Sequence, residues 1–529
     1  MKSTATDGRA RLRRLLTAGA SAAALALSAT PAMAQDELAP AAEDENGDGP
    51  IYVTGSRIRA DGMQAPVPVT VVDAEEIETL SPGALITGVS QLPQFYGNQT
   101  PNSGNFFVRS GYGSLNLRGL GVNRTLTLLN GRRMPSTSAF GGVDINLFPE
   151  AMIASVETTT GGASAAYGTD AVAGVVNFTL NTDFTGLEVS AQGGITDRGD
   201  GENYEISAAY GMPFAGGRGH VLVSGEYYDQ KGIHSHDGRD WYEAWGTIGS
   251  GTQADPYRFL PNVISRNASF DGVIFAPGTA INGLAFDRDG NVSPFLSGSP
   301  SMGTLGTPPA RHSVTNGGSG DDLGGEVFTL YPDLERYSAF AYADYDLVDG
   351  FKVFGQYLHG KTSIFSYNTP RGSFGGTPTA LTIFSGNPYL PANIQATMTA
   401  NNIASFTLRR MGSIEDVGQM YLDDTTTQHI ATAGFEWDLD TGGFLDGWEI
   451  DGFYQFGHSK RDWRQLGLRV DRIFAAVDAV RDASGNIVCR VSTFAGGAEA
   501  FPGCQPLNLF GRGNASPEAV DYVVGFEPG

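Results

Sequence analysis

The chain has 529 residues, a formal net charge of −23, 41% hydrophobic and 17% charged residues, 72 glycines, 20 tyrosines and 30 phenylalanines. That length holds more than one domain, the charge excludes a basic nucleic-acid-binding face, and two cysteines exclude a Cys-rich metal cluster. After the N-terminus no run of about 20 apolar residues occurs, which excludes a helical membrane protein and leaves open a closed transmembrane barrel or a secreted soluble β-protein.

Residues 1–34 read as a secretory signal. Lys2, Arg9, Arg11, Arg13 and Arg14 form a positive region, Leu15 to Ala29 a short apolar one, and Ala32-Met33-Ala34 a cleavage site that makes Gln35 the first mature residue. Such a signal leads to an oxidising periplasm. Residues 35–63 form an arm. Asp36 to Gly49 are acids, Ala, Pro and Gly with almost no large apolar residue, the composition of a disordered tether. The β-prone segment Ile51, Tyr52, Val53, Thr54, Gly55 and Ser56 follows, with Arg57 and Ile58 behind it. It suits addition to a partner's sheet edge; the alternative is a first strand of the next domain.

Residues 64–182 change texture. Val67 to Val72 alternate as a strand. Asp73 with Glu76 three residues on reads as a capping box opening a short helix. Leu115 to Gly121 read as strand and glycine turn. Arg124 to Leu129 read as a second strand, running into Asn130-Gly131, a hairpin signal, and Arg132-Arg133. Met152 to Thr160 give a further strand, and Gly161 to Phe178 a small-residue stretch that allows close backbone approach.

These residues resemble the TonB-dependent receptor family. The resemblance lies in Val53-Thr54-Gly55-Ser56-Arg57, in Leu117 to Arg133 and in Pro149 to Phe178. It is specific over about residues 50–185 and looser beyond. It implies an α+β plug domain followed by an incomplete antiparallel transmembrane β-barrel. It further implies a TonB box at Ile51 to Ser56, and plug-motif residues Arg118, Gly119, Asn130, Gly131, Arg132, Glu157, Gly168 and Asn177. The implied partners are TonB with its inner-membrane motor complex, outer-membrane lipid and a transported small ligand. The implied location is the outer membrane, plug and arm facing the periplasm. The chain departs from the family in one place: many members carry an arginine before a Gly-Pro in the last plug strand, and Thr160-Gly161-Gly162 stand here instead.

Rival chemistry is thin. Gly111-Tyr112-Gly113 lacks the rest of a phosphate loop. Gly162-Ala163-Ser164-Ala165-Ala166 lacks the closing glycine of a nucleophile elbow. His234, Ser235, His236 and Asp237 offer metal ligands, with a solvated loop as the alternative. No catalytic constellation emerges, so an enzyme, a cofactor and a bound metal are not expected.

Residues 183–529 carry seven alternating segments of the length of transmembrane β-strands: 187–192, 204–210, 218–230, 337–347, 351–361, 431–437 and 448–456. Short joins follow the second, fourth and sixth, and long joins the third, fifth and seventh. That parity belongs to outer-membrane barrels, with short periplasmic turns and long external loops. Plugged transporters use about 22 strands, so the sequence reads as a truncated barrel stopping at Gly529 within a long loop. Cys489 and Cys504 fall in that loop, with a spacing that suits a disulfide-closed loop, the alternative being free thiols. The expected function is TonB-dependent uptake of a bulky nutrient such as a ferric siderophore or oligosaccharide. The alternatives are a passive or surface-binding barrel without energy coupling, or an inactive fragment.

Overall fold

A computed structural model describes residues 69–526 except 74–75, 77–84, 101–103, 106–107, 110–112, 140, 162, 237–238, 250, 255, 266–267, 297, 299–313, 322–328, 369–380, 411–413, 440–442 and 446. The expected signal segment and TonB box lie outside the described residues, as does most of the helix expected after Asp73.

The first domain is built on a mixed sheet of Val69–Asp73 (β1), Thr125–Leu129 (β2), Arg132–Arg133 (β3), Ile153–Thr160 (β4) and Gly174–Leu180 (β5). The strand order is β1-β4-β5-β2-β3, with β2 parallel to β5 and the other pairs antiparallel. Successive side chains point to opposite faces, so Leu126, Leu128 and Val175 enter one small core with Tyr167, while Leu129, Val156, Val176 and Phe178 enter a larger one. Asn130 (φ 50°) and Gly131 (φ 72°) turn β2 into β3, both in the left-handed region that Asn-Gly turns require. The turn is tied to β5, because Gly131 N donates to Asn177 Oδ1 (2.8 Å) and Leu180 N to Asn130 Oδ1 (2.7 Å). The strand expected at Leu115 to Gly121 is corrected: Ser114 and Leu117 make only isolated bridges, to Gln99 and Phe95.

The second part is one antiparallel sheet: Gly186–Gly194 (β6), Asn203–Phe214 (β7), Gly219–Gln230 (β8), Asp333–Val348 (β9), Phe351–Asn368 (β10), Met420–Leu439 (β11), Trp448–Leu468 (β12) and Val524–Phe526 (β13). They lie in the order β13-β12-β11-β10-β9-β8-β7-β6. The expected terminal loop is thereby corrected, since Leu466 pairs with Phe526 and Leu468 with Val524. Among the described residues the sheet has two ends and does not close.

Pairing sorts the side chains of this wall by face. Leu187, Tyr210, Val223, Ala341, Tyr357, Ala431 and Phe456 are successive cross-strand partners, and this row is apolar throughout. On the opposite face Ser190, Ser207, Glu226, Ser338, Gly360, Gln428 and Ser459 form the matching row, and it is polar or small throughout. The apolar row is the exposed one, with Leu187 at 70% and Phe456 at 58%, whereas Leu222, Leu358 and Ile430 on the other face are buried against the plug. Apolar outward and polar inward is the pattern of a membrane-spanning barrel wall and the reverse of a soluble sheet.

The three long connections are not independent loops. Val292–Pro294, Leu284–Phe286, Val273–Phe275, Ser405–Arg409 and Leu381–Phe384 pair into a second five-stranded sheet. With helices Ala392–Ala400, Val470–Val477 and Pro517–Val523, this sheet buries a core that includes Ile274, Phe286, Leu381, Met398, Leu408, Ile473, Leu507, Phe510 and Val523. Buried Arg410 ties the connections together, reaching Asp416 Oδ2 and Gly511 O at 2.6 Å each. Cys489 and Cys504 are disulfide-bonded within the last connection.

Candidate functional site at the plug–wall interface

Alternation turns Arg336 of β9 inward, directly opposite Tyr228 of β8, which in turn pairs with Glu205 of β7. Glu226 lies one inward position along β8. From the plug, the 3-10 turn Glu150–Met152 that leads into β4 brings Glu150 to the same place. The guanidinium is 1% exposed. Its Nη2 stands 2.6 Å from Glu150 and 3.4 Å from Glu205, its Nη1 2.7 Å from Glu226, and its Cζ 5.4 Å from the Tyr228 ring centre. The second Glu226 oxygen accepts from Ala151 N at 3.2 Å. One cation therefore joins three carboxylates on three chain segments, one of them the plug's. Among the described residues these glutamates are the one acidic or histidine grouping with ligand spacing for a metal ion, and the cation they surround is Arg336.

Further along the interface the plug's Arg132 lies 4.7 Å from the Phe354 ring and 5.2 Å from that of Phe453, and its Nη1 donates to Gln356 Oε1 at 3.0 Å. Gln428 Nε2 donates to Pro135 O (3.2 Å), and Gln455 Nε2 to Arg133 O (2.7 Å). Thr362 Oγ1 donates to Asp144 Oδ2 (3.1 Å), whose other oxygen accepts from Gly113 N (2.9 Å) and Asn146 N (3.1 Å). Burial pushes the Asp144 carboxyl up to about 6, those three hydrogen bonds opposing the rise.

The sequence-derived plug residues separate into groups. Arg132 reaches the wall. Asn130, Gly131 and Asn177 hold the hairpin on β5, and buried Glu157 sits on β4 in register between Val71 and Asn177. Gly168 (φ 87°) ends the helical turn Ser164–Tyr167, where Arg133 pairs with Asp170 and holds that carboxyl below its usual range. Arg118 and Gly119 (φ 56° and 69°) form an exposed left-handed turn. Among the loop histidines, His234 pairs with Asp333 at 2.9 Å and the His236 ring lies tilted against that of Tyr242, 4.8 Å between centres. Glu150, Glu205, Glu226, Arg336 and Asp144 escaped the sequence reading. The available signal was a charged residue at the inward position of an alternating strand, as at Glu205 and Arg336. The site can hold two domains together through polar contacts that water can replace, and it contains no nucleophile–base pair.

Residues 61–175 match the model of the TonB-dependent receptor plug domain. Several solved chains are also similar. A ferric enterobactin receptor mutant from Pseudomonas aeruginosa is 13% identical, with 76% of this chain and 46% of that chain covered at a TM-score of 0.34. The siderophore receptor PirA from Acinetobacter baumannii is 14% identical, with 81% and 51% covered at 0.31, and PiuA from the same organism 15%, with 80% and 48% covered at 0.33. The chain thus spans about half the length of the solved chains it matches, and likeness at these scores carries no functional argument. Residues 61–175 of this chain thus form a plug domain of the TonB-dependent receptor type.

Proposed function

We propose that the receptor to which this chain belongs actively imports a bulky nutrient, a ferric siderophore, an oligosaccharide or a similar ligand, across the outer membrane. The supporting observation is the plug's seat. A separate α+β domain rests on the polar inward face of a wall whose other face is apolar, held there by the Arg336 cluster and by side chains that solvent can replace. A domain so held can be displaced without unfolding the wall. Plug and arm face the periplasm, the folded long connections face outward, and Ile51 to Ser56 pair with TonB, which supplies the work.

The test is deletion of residues 51–56 from the receptor in its own cell, with uptake and surface binding of labelled ferric siderophores and oligosaccharides measured side by side. Loss of uptake with binding retained is the expected result. Unchanged uptake would favour a passive barrel and sink energy coupling through this segment.

A further inference from the structure

The outward face changes character at one place. One position beyond the apolar row, the cross-strand partners are Val189, Ala208, Gly225, Ala339, His359, His429 and His458. The next row is Ala191, Ile206, Tyr227, Tyr337, Lys361, Thr427 and Lys460. On β6 to β9 both rows remain apolar or aromatic. On β10, β11 and β12 they hold three of the chain's seven histidines and two lysines. The His359 and His429 rings stack at 4.5 Å, Tyr357 Oη lies 2.8 Å from His429 Nδ1, and Lys361 Nζ sits 5.6 Å from the centre of the Tyr337 ring. Lys460 is shared with Asp462 at 2.7 Å; Lys361 has no carboxylate partner among the described residues. Beyond the patch come Asp423 and Asp462, below it Tyr357, Ala431 and Phe456.

The patch therefore lies where hydrocarbon gives way to headgroups, on the side of the long connections. Imidazole N–H and ammonium groups find no acceptors in hydrocarbon, and at this depth the complementary anion is a lipid phosphate. We propose that His359, His429, His458, Lys361 and Lys460 form a docking site for a lipid headgroup of the external leaflet whose phosphate leaves it net anionic. The site rests on the membrane-facing reading of the outward face given under Proposed function. It anchors the wall at β10 to β12, the strands that also carry Gln356, Thr362, Gln428 and Gln455 against the plug.

The experiment uses the receptor extracted from its own membrane, delipidated in mild detergent and offered phosphatidic acid or phosphatidylcholine in bilayer discs. Wild type should retain phosphatidic acid over phosphatidylcholine, and Lys361→Gln with Lys460→Gln should lower that retention about tenfold. His429→Gln, a second variant in the same patch, should lower it less. Heat-modifiable gel migration reports whether each variant is folded. Equal retention by folded variants, or displacement of the lipid by inorganic phosphate at matched concentration, overturns this proposal alone. A receptor that does not enter bilayers overturns the membrane reading and the proposal with it.

Discussion

Arg336 of the wall and Glu150 of the plug meet at 2.6 Å with the guanidinium almost wholly excluded from solvent. The pair is one arm of a cluster whose remaining members, Glu205 and Glu226, belong to the wall. The one guanidinium is the cation these three carboxylates share, and Glu150 is the one of the three that the plug supplies.

Replacing Arg336 with Met removes the cation and leaves three carboxylates facing one another. Breaking a buried pair by deleting one partner costs about 3–5 kcal/mol, so the plug should loosen. Hydrogen exchange across residues 150–160 should accelerate markedly, while exchange in β10 and β11 stays slow. Adding Glu226→Gln and Glu150→Gln should recover part of the protection, because one uncompensated carboxylate, that of Glu205, then remains in place of three. Unchanged exchange in Arg336→Met would mean that the cluster does not hold the plug.

Asp144 gives the interface a pH dependence. Its folded pKa of about 6 lies above the ordinary 3.8, so between these values the folded state binds the extra proton. Stability from this group is complete below about pH 4 and is lost as pH rises through 6, an effect of up to about 3 kcal/mol. Asp144→Asn should flatten thermal stability over that window and leave the variant at least as stable as wild type at pH 7. Its amide oxygen still accepts from Gly113 and Asn146, and its amide nitrogen can donate to Thr362. A variant that keeps the wild-type slope would place the titration elsewhere.

Within the apolar band the wall was legible in the sequence, and beyond it was not. All seven expected segments are strands, but β10 runs on to Asn368, β11 begins at Met420, and β12 runs on to Leu468. These extensions include stretches that are polar on both faces, as at Thr425-Thr426-Thr427 and Lys460-Arg461-Asp462, and there the period of two is interrupted. The outer core was illegible for another reason: Phe286, Leu408 and Phe510 come from three connections, none with enough apolar residues to announce a core alone. Asn130-Gly131 was legible because its constraint is local. Arg336 with Glu150 was not, because the contact exists only once the plug is placed.

The disulfide Cys489–Cys504, 15 residues apart, stabilises the last connection by about 3 kcal/mol in the loop-entropy model. Cys489→Ser with Cys504→Ser should raise protease sensitivity between residues 470 and 523, where Ile473, Val477 and Leu507 enter the outer core. Cleavage within β8 to β10 should not change. Equal digestion of variant and wild type would show that the packed core alone holds this connection.

Gly360 offers a way to unseat the plug without touching a charge. It lies on the inward face of β10, and a Cβ there would stand 2.5 Å from Leu147 O and 2.9 Å from Leu147 Cβ, both in the plug. Extended backbone accepts any side chain, so Gly360→Val leaves the strand itself unstrained and places the whole clash at the interface. Gly355, on the outward face of the same strand, meets only Thr432 O at 4.0 Å, and Gly355→Val serves as the control. In the membrane-inserted receptor Gly360→Val should open the plug to protease and raise single-channel conductance, with Gly355→Val silent in both assays. If both variants behave as wild type, the wall is compliant enough to move away from the plug, and close packing at Leu147 is not what seats it.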